Sequence, residues 1–258
     1  MKHTYTSYYL DCPLVKGRVF DVFEPKTITK DAALFIVHGG GWRAGSRESF
    51  HEIMQAFNDR GYIVASTDYR LYAKDAFEQI SDIRQAYDRF VTLLKEKKRP
   101  LKIAVYGESA GAHLASMVIC TQPDSDTALE NEWIVPAMGI LQATPYDFLP
   151  REYMMSQTWA MFTSIAGVPY ETHPEIYERL SLKNHINESN PPLFFMEAEY
   201  ENMFPSDLTH ELYEKHLLWG IPSQWKVYEK MEHGFFYELR RQAQLEAFED
   251  ICEFMDNR

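Results

Sequence analysis

The sequence predicts an α/β fold: a mostly parallel central sheet with helices on both faces and a small helical cap insertion. Three observations carry this. Short, near-continuous apolar runs alternate with stretches whose apolar residues recur at helical spacing, the pattern of parallel strands covered on both faces. The run at 33–37 (ALFIV) stops abruptly at His38 and three glycines, placing a loop where a buried strand ends. One segment, residues 144–190, breaks the rhythm and is too long to be a plain loop.

The elements follow in order. Residues 18–23 (RVFDVF) alternate apolar and polar, as a half-buried strand does. After the strand at 33–37, a helix over 48–60 is marked by Phe50, Ile53, Met54 and Phe57, with Gly61 as its C-terminal stop. Residues 62–66 (YIVAS) read as another buried strand. A long amphipathic helix over 76–96 presents Phe77, Ile80, Ile83, Tyr87, Phe90, Val91 and Leu94 on one face. A short strand at 102–106 (KIAVY), a turn and a small-residue helix at 110–120 come next. Further strands are expected at 137–142, 193–198 and 224–229, and a final helix at about 236–256. The insertion at 144–190 holds Pro145, Pro150, Pro169 and Pro174 together with Tyr146, Phe148, Tyr153, Trp159, Phe162 and Tyr170. Its length calls for structure of its own, and such insertions often wall binding sites. No Gly/Ser-rich or Pro-rich linker divides the chain, so residues 1–258 are expected to form one domain with a cap-like insertion at about 144–190.

Composition narrows the function. With 26 Lys and Arg against 38 Asp and Glu, the formal net charge is −12. That argues against a nucleic-acid partner, which needs a basic stripe, and against docking on an anionic membrane. No apolar run approaches the ~18 residues of a membrane span. Cys12, Cys120 and Cys252 are too few and too scattered for a disulfide framework or a C-x-x-C motif. The opening residues, MKHTYTSYYL, lack the apolar stretch of a secretory signal. A cytoplasmic location is therefore expected.

The chemistry concentrates in three motifs. Gly107-Glu108-Ser109-Ala110-Gly111 fits G-x-S-x-G and lies between a strand and a helix. In that context the serine occupies a sharp, strained turn, so its neighbours must be small. A helix starting near Ala110 would stabilise negative charge beside Ser109. The competing reading, a plain Gly-rich turn, does not explain the strand before and the helix after.

The second motif is His38-Gly39-Gly40-Gly41-Trp42. A tetrahedral intermediate carries an oxyanion, and losing one preorganised N–H donor typically costs about 2.7–4 kcal/mol. Consecutive glycines bare their backbone amides for that role. Gly40 and Gly41 are the expected donors, with the N–H of Ala110 completing the oxyanion hole. The loop has no G-K-[ST] and no G-x-G-x-x-G, so a phosphate loop is disfavoured.

The third is His233, in Glu232-His233-Gly234-Phe235 after the last expected strand. A serine hydroxyl needs a base, and histidine titrates near neutrality. His38 is the main competitor, expected instead to brace the glycine loop, and His113 is expected to be a satisfied structural side chain. The acid should lie between the strand at 193–198 and His233, which leaves Glu197, Glu199, Glu201 and Asp207. Spacing does not choose among them.

Together, HGGGW at 38–42, DYR at 68–70, GESAGAHLA at 107–115, PPLFFMEAEYE at 191–201 and HGF at 233–235 resemble the α/β-hydrolase superfamily. Within it the likeness is to hormone-sensitive-lipase-like esterases and small carboxylesterases. The resemblance implies an acid at Glu201, where the family usually carries Asp, with Glu199 and Asp207 as the alternatives. It also implies that the DYR segment braces the glycine loop. Family members often carry a long helical N-terminal cap, whereas the residues before the first buried strand here look strand-like. The pocket roof is then expected from 144–190.

The expected activity is a serine carboxylesterase cleaving small, short-acyl esters through an acyl-enzyme on Ser109, with His233 and Glu201 completing the triad and no metal or cofactor required. Trp42, Trp159 and Phe235 are expected to wall the substrate pocket. An arylformamidase or a sugar-ester deacetylase would use the same groups. A non-catalytic binding protein on the same scaffold is the alternative of a different class.

Overall fold

The computed structural model describes residues 4–11, 17–125, 127–150 and 154–258; Cys12 and Tyr153 lie outside these residues. The sheet has eight strands: β1 (Thr6–Tyr9), β2 (Val19–Phe23), β3 (Ala32–Val37), β4 (Ile63–Thr67), β5 (Lys102–Glu108), β6 (Met138–Gln142), β7 (Leu193–Tyr200) and β8 (Gln224–Glu232). Their order is β1-β2-β4-β3-β5-β6-β7-β8. β1 and β2 are antiparallel, β2 and β4 are antiparallel, and the six strands from β4 to β8 run parallel. The expected fold class is the observed one.

Among the described residues seven helices accompany the sheet: α1 (His51–Asp59), α2 (Ala76–Glu96), α3 (Ala110–Cys120), α4 (Ser156–Ala166), α5 (Pro174–Leu180), α6 (Ser206–Leu218) and α7 (Gln242–Asp256). Alternation along each strand divides the core into two layers. Phe35, Val105, Leu141 and Phe195 meet Ile80, Ile83 and Leu114 from α2 and α3. Their strand neighbours Leu34, Ile36, Ala104 and Ile140 meet Ile53, Phe57, Phe248 and Ile251 from α1 and α7. Burying one such side chain contributes about 1.5–3 kcal/mol, so both layers are needed to offset the entropy of ordering the chain.

Several boundaries differ from expectation for local reasons. α1 is preceded by a 3-10 turn, Arg47–Phe50, whose start is capped by the Ser46 hydroxyl. β5 runs two residues further than expected, up to the residue before Ser109. α7 starts at Gln242 rather than 236, because Phe235 and Phe236 are spent in the core. The Gln244 side chain then fixes the new start, accepting from the amides of Arg240 and Arg241 and donating to the Phe235 carbonyl at 2.8 Å. β1 falls in the N-terminal stretch expected to be strand-like, and α6 continues the strand–helix alternation after β7. In the expected cap, α4 and α5 and a 3-10 turn at Leu182–Asn184 lie between β6 and β7.

The parallel register brings the chemistry to one edge. Val37 pairs with Gly107, Glu108 with Gln142, and Gln142 with Met196. The carboxyl ends of β3, β5 and β7 therefore open onto a shared rim, where open α/β sheets build their sites.

Candidate active site

Ser109 stands between β5 and α3 with φ 53° and ψ −121°, a conformation rarely adopted by a residue with a side chain. Such strain costs on the order of 1–3 kcal/mol and persists only where the surroundings over-determine it. Here the constraint is close packing. A Cβ on Gly107 would overlap the Gly111 carbonyl, and one on Gly111 would overlap the carbonyls of Val37 and His38. The elbow thus sits directly against the glycine loop.

That loop is itself turned tightly. Gly40, Gly41 and Trp42 all have positive φ, at 111°, 57° and 62°. The Gly40 carbonyl accepts from the amides of Arg43 and Ala44, at 3.2 and 2.9 Å. Trp42 tolerates its backbone strain because its indole is buried and donates to His113 Nδ1 at 3.2 Å. His113 is fully buried, and its other ring nitrogen lies 2.9 Å from the Leu180 carbonyl. Burial pushes its pKa down to about 4, so it stays a neutral acceptor for Trp42.

The DYR segment holds the same loop from the neighbouring strand. The Tyr69 hydroxyl donates to the His38 carbonyl at 3.1 Å and its ring stacks on the His38 imidazole at 4.4 Å. The Asp68 carboxylate accepts from the Arg47 amide at 2.7 Å and pairs with its guanidinium. Arg43 donates to the carbonyls of Ala73 and Ser164, tying the loop to the cap.

His233 lies immediately after β8. Its Nε2 is 2.8 Å from Ser109 Oγ and its Nδ1 is 2.7 Å from Glu201 Oε2. With Nδ1–H donating to the carboxylate, Nε2 is the acceptor for the serine hydroxyl. Glu201 Oε1 accepts from the amides of Met203 and Phe204, at 2.8 and 3.3 Å. Burial pushes the Glu201 carboxyl up, yet the bond to His233, its charge and these amides together hold it below the ordinary value. Burial likewise pushes His233 down, but the bond and charge of Glu201, with the charge of Glu108, carry it above 6.5.

The other acid candidates are engaged elsewhere. Glu199 is exposed and accepts the Lys230 amide at 2.6 Å. Glu197 is buried and accepts from the Thr209 hydroxyl at 2.7 Å; burial, aided by the charge of Glu201, pushes it up to about 8. Asp207 is exposed in the first turn of α6.

A cavity of about 310 Å³ opens over Ser109, lined by Gly40, Gly41, Trp42, Glu108, Met161, Met203, Phe204, His233, Gly234 and Tyr237. Ala110 is fully buried at the start of α3 and does not line it. Of the three aromatics expected in the pocket, only Trp42 lines this cavity. Phe235 is a correction: after Gly234, with φ 68°, the chain turns it into the α1/α7 core layer against Tyr228, at 5.2 Å. Trp159 is another: it stacks on Tyr177 at 5.5 Å and meets Tyr170 edge-on, packing the cap onto itself. The cap instead reaches the cavity through Met161. Beyond Met203 and Phe204, a second cavity of about 460 Å³ runs under the cap past Phe162, Thr158 and Leu208.

Sequence reasoning passed over Glu108 and Tyr237. Glu108 lay inside the elbow motif, at the position the motif leaves free, and Tyr237 lay four residues after His233. Met203 and Phe204 lay just beyond the acid candidate.

Known proteins give this geometry its context. A family model described as BD-FAE matches residues 20–216. The chain is similar to the kynurenine formamidase of Danio rerio, 25% identical over 166 residues, covering 62% of this chain and 56% of that protein. It is also similar to the probable carboxylic ester hydrolase LipM of Mycobacterium tuberculosis, 25% identical over 184 residues, covering 67% and 42%. It spans about half the length of these curated relatives. Among solved structures, esterase B of Lactobacillus rhamnosis shares the fold, with a TM-score of 0.81 at 16% identity over 98% of this chain and 85% of that one. With its parallel sheet, strand-to-helix elbow and matched span, the chain belongs to the BD-FAE family, within the α/β-hydrolase superfamily.

Proposed function

We propose that this protein is a serine hydrolase that cleaves small, short-acyl esters through an acyl-enzyme on Ser109. The observation that carries the reading is the unbroken relay from Ser109 Oγ to His233 Nε2 at 2.8 Å and from His233 Nδ1 to Glu201 Oε2 at 2.7 Å. Likeness to a carboxylic ester hydrolase supports the same reaction class.

In this reading His233 takes the Ser109 proton as the oxygen attacks the ester carbonyl. The Gly40 and Gly41 amides receive the developing oxyanion, with the Ala110 amide as third donor. His233 then returns the proton to the departing alcohol. Water, deprotonated by His233, attacks the acyl-enzyme, and Ser109 leaves with its proton restored. Glu201 keeps Nδ1 protonated throughout and offsets the charge on the imidazolium. The small cavity over Ser109 favours short acyl groups. Scarce cysteines, with Cys120 and Cys252 unpaired, fit the reducing cytoplasm as its location.

A second reading, an arylformamidase, is favoured by the likeness to kynurenine formamidase. Formyl is the smallest acyl group and fits the same cavity. A fluorophosphonate probe and paired kinetics test both. Labelling of the wild type and none of Ser109→Ala is expected, with hydrolysis of p-nitrophenyl acetate lost in that variant. Unlabelled wild-type protein would point to a non-catalytic scaffold. A kcat/KM for an N-formyl arylamine well above that for acetyl esters would move the assignment to the formamidase.

A further inference from the structure

Next to the relay lies a second carboxylate that the relay does not use. Glu108 precedes Ser109 in the elbow, is 2% exposed, and lines the catalytic cavity. Its Oε2 accepts from the Tyr237 hydroxyl. Its Oε1 is 3.8 Å from His233 Nε2. The backbone of Gly39 also bonds it. Two glycines make room for it: a Cβ on Gly39 would overlap Oε2, and one on Gly234 would come within 2.8 Å of Oε1. One buried side chain therefore touches the glycine loop, is peptide-bonded to the nucleophile, and meets both His233 and Tyr237.

We propose that Glu108 is a positioning residue for the acyl transfer: its buried carboxylate locks the glycine loop, the elbow and the His233 loop into one register and stabilises the imidazolium that forms on His233. This rests on the proposed roles of Ser109 and His233. A separation of 3.8 Å is too long for a hydrogen bond, so Glu108 does not draw the Nε2 proton away from the leaving group. It is short enough for attraction between opposite charges when one of them, Glu108, is buried. Glu201 thus faces the imidazolium at Nδ1 and Glu108 faces it at Nε2.

The groups around this carboxylate set its charge. Burial, aided by the charge of Glu201 beyond the imidazole, carries its carboxyl above the ordinary value, while the Tyr237 hydroxyl, the His233 charge and the Gly39 bond oppose that and favour the anion. Tyr69 and Tyr106 are the other titratable neighbours, and both are held protonated, chiefly by burial. Tyr237 is held protonated in the same way and so remains a donor. Removing that donor weakens the anion, whereas Glu108→Gln removes its charge outright.

The test is the acid limb of kcat/KM in Glu108→Gln, Tyr237→Phe and the double variant, paired with NMR titration of the His233 imidazole. Gln keeps the size and the hydrogen bonds but removes the charge, so His233 loses a proton more readily. Both readouts are expected to move to lower pH by roughly one unit. Tyr237→Phe should move them in the same direction, and the double variant no further than Glu108→Gln alone. Titration curves that superimpose on wild type would overturn the proposal, as would additive shifts in the double variant. Should Glu108→Gln fail to fold, Tyr237→Phe carries the same comparison. The NMR titration needs no turnover: an inactive wild type with a shifted His233 would refute the esterase reading and leave the Glu108–His233 coupling intact.

Discussion

The carboxylate of Glu201 divides its two oxygens between different tasks: Oε2 takes the His233 Nδ1–H at 2.7 Å, and Oε1 takes the backbone amides of Met203 and Phe204. The residue lies one position past the end of β7, and its own amide donates back to the Ala198 carbonyl at 3.1 Å. The turn draws the backbone in, and the glutamate's extra methylene reaches out again to the imidazole.

Glu201→Gln should therefore cost about 10⁴-fold in kcat, because an amide cannot hold the required histidine tautomer. Glu201→Asp keeps the charge but shortens the reach, with an expected loss near 100-fold. Glu199→Gln and Asp207→Asn should stay within a few-fold of wild type. Steady-state kinetics on one short ester ranks all four, and a Glu199 or Asp207 variant as damaged as Glu201→Gln contradicts the assignment.

The pH profile follows from His233. The proposed reaction needs its neutral form, and its surroundings raise its pKa above 6.5. Activity should accordingly rise with pH and level off only above that value. A kcat/KM profile already flat from pH 6 upward would be inconsistent with this.

Chain-length preference should depend on Met161, the one cap residue among those described that lines the cavity over Ser109. Met161→Ala enlarges the space there. The octanoyl-to-acetyl ratio of kcat/KM is expected to increase about tenfold or more, the usual worth of one or two methylenes in an apolar pocket. An unchanged ratio would mean that the acyl chain lies elsewhere.

Gly111→Ala probes the contact between elbow and glycine loop. The new methyl would overlap the carbonyls of Val37 and His38. Overpacking of this kind costs about 1–3 kcal/mol, read from the urea midpoint. Activity should fall further than stability does, since the displaced backbone leads into Gly40 and Gly41.

Much of this was legible in the sequence because the relevant signals are local. The run ALFIV, the small residues around Ser109 and the spacing over 76–96 each encode their own element. Glu201 was reached through family likeness, since a β-bulge between Ala198 and Tyr200 decides which glutamate faces His233. No periodicity reports such a bulge. Phe235 and Trp159 depart from expectation for a related reason. An aromatic beside a motif looks like a pocket wall, and only the φ of Gly234 or the partners of Trp159 reveal a packing role. Glu108 and Tyr237 meet across 129 residues of chain, a contact invisible to any local pattern.

The order of the strands has one more consequence. Ser109 follows β5, held between β3 and β6, but His233 follows β8, an edge strand that among the described residues pairs with β7 alone. Ser109 is thus anchored in the middle of the sheet and His233 at its margin. Fraying of that margin separates the two without disturbing the interior. Heat or mild denaturant would then silence the protein while most of its amide protons are still protected from exchange.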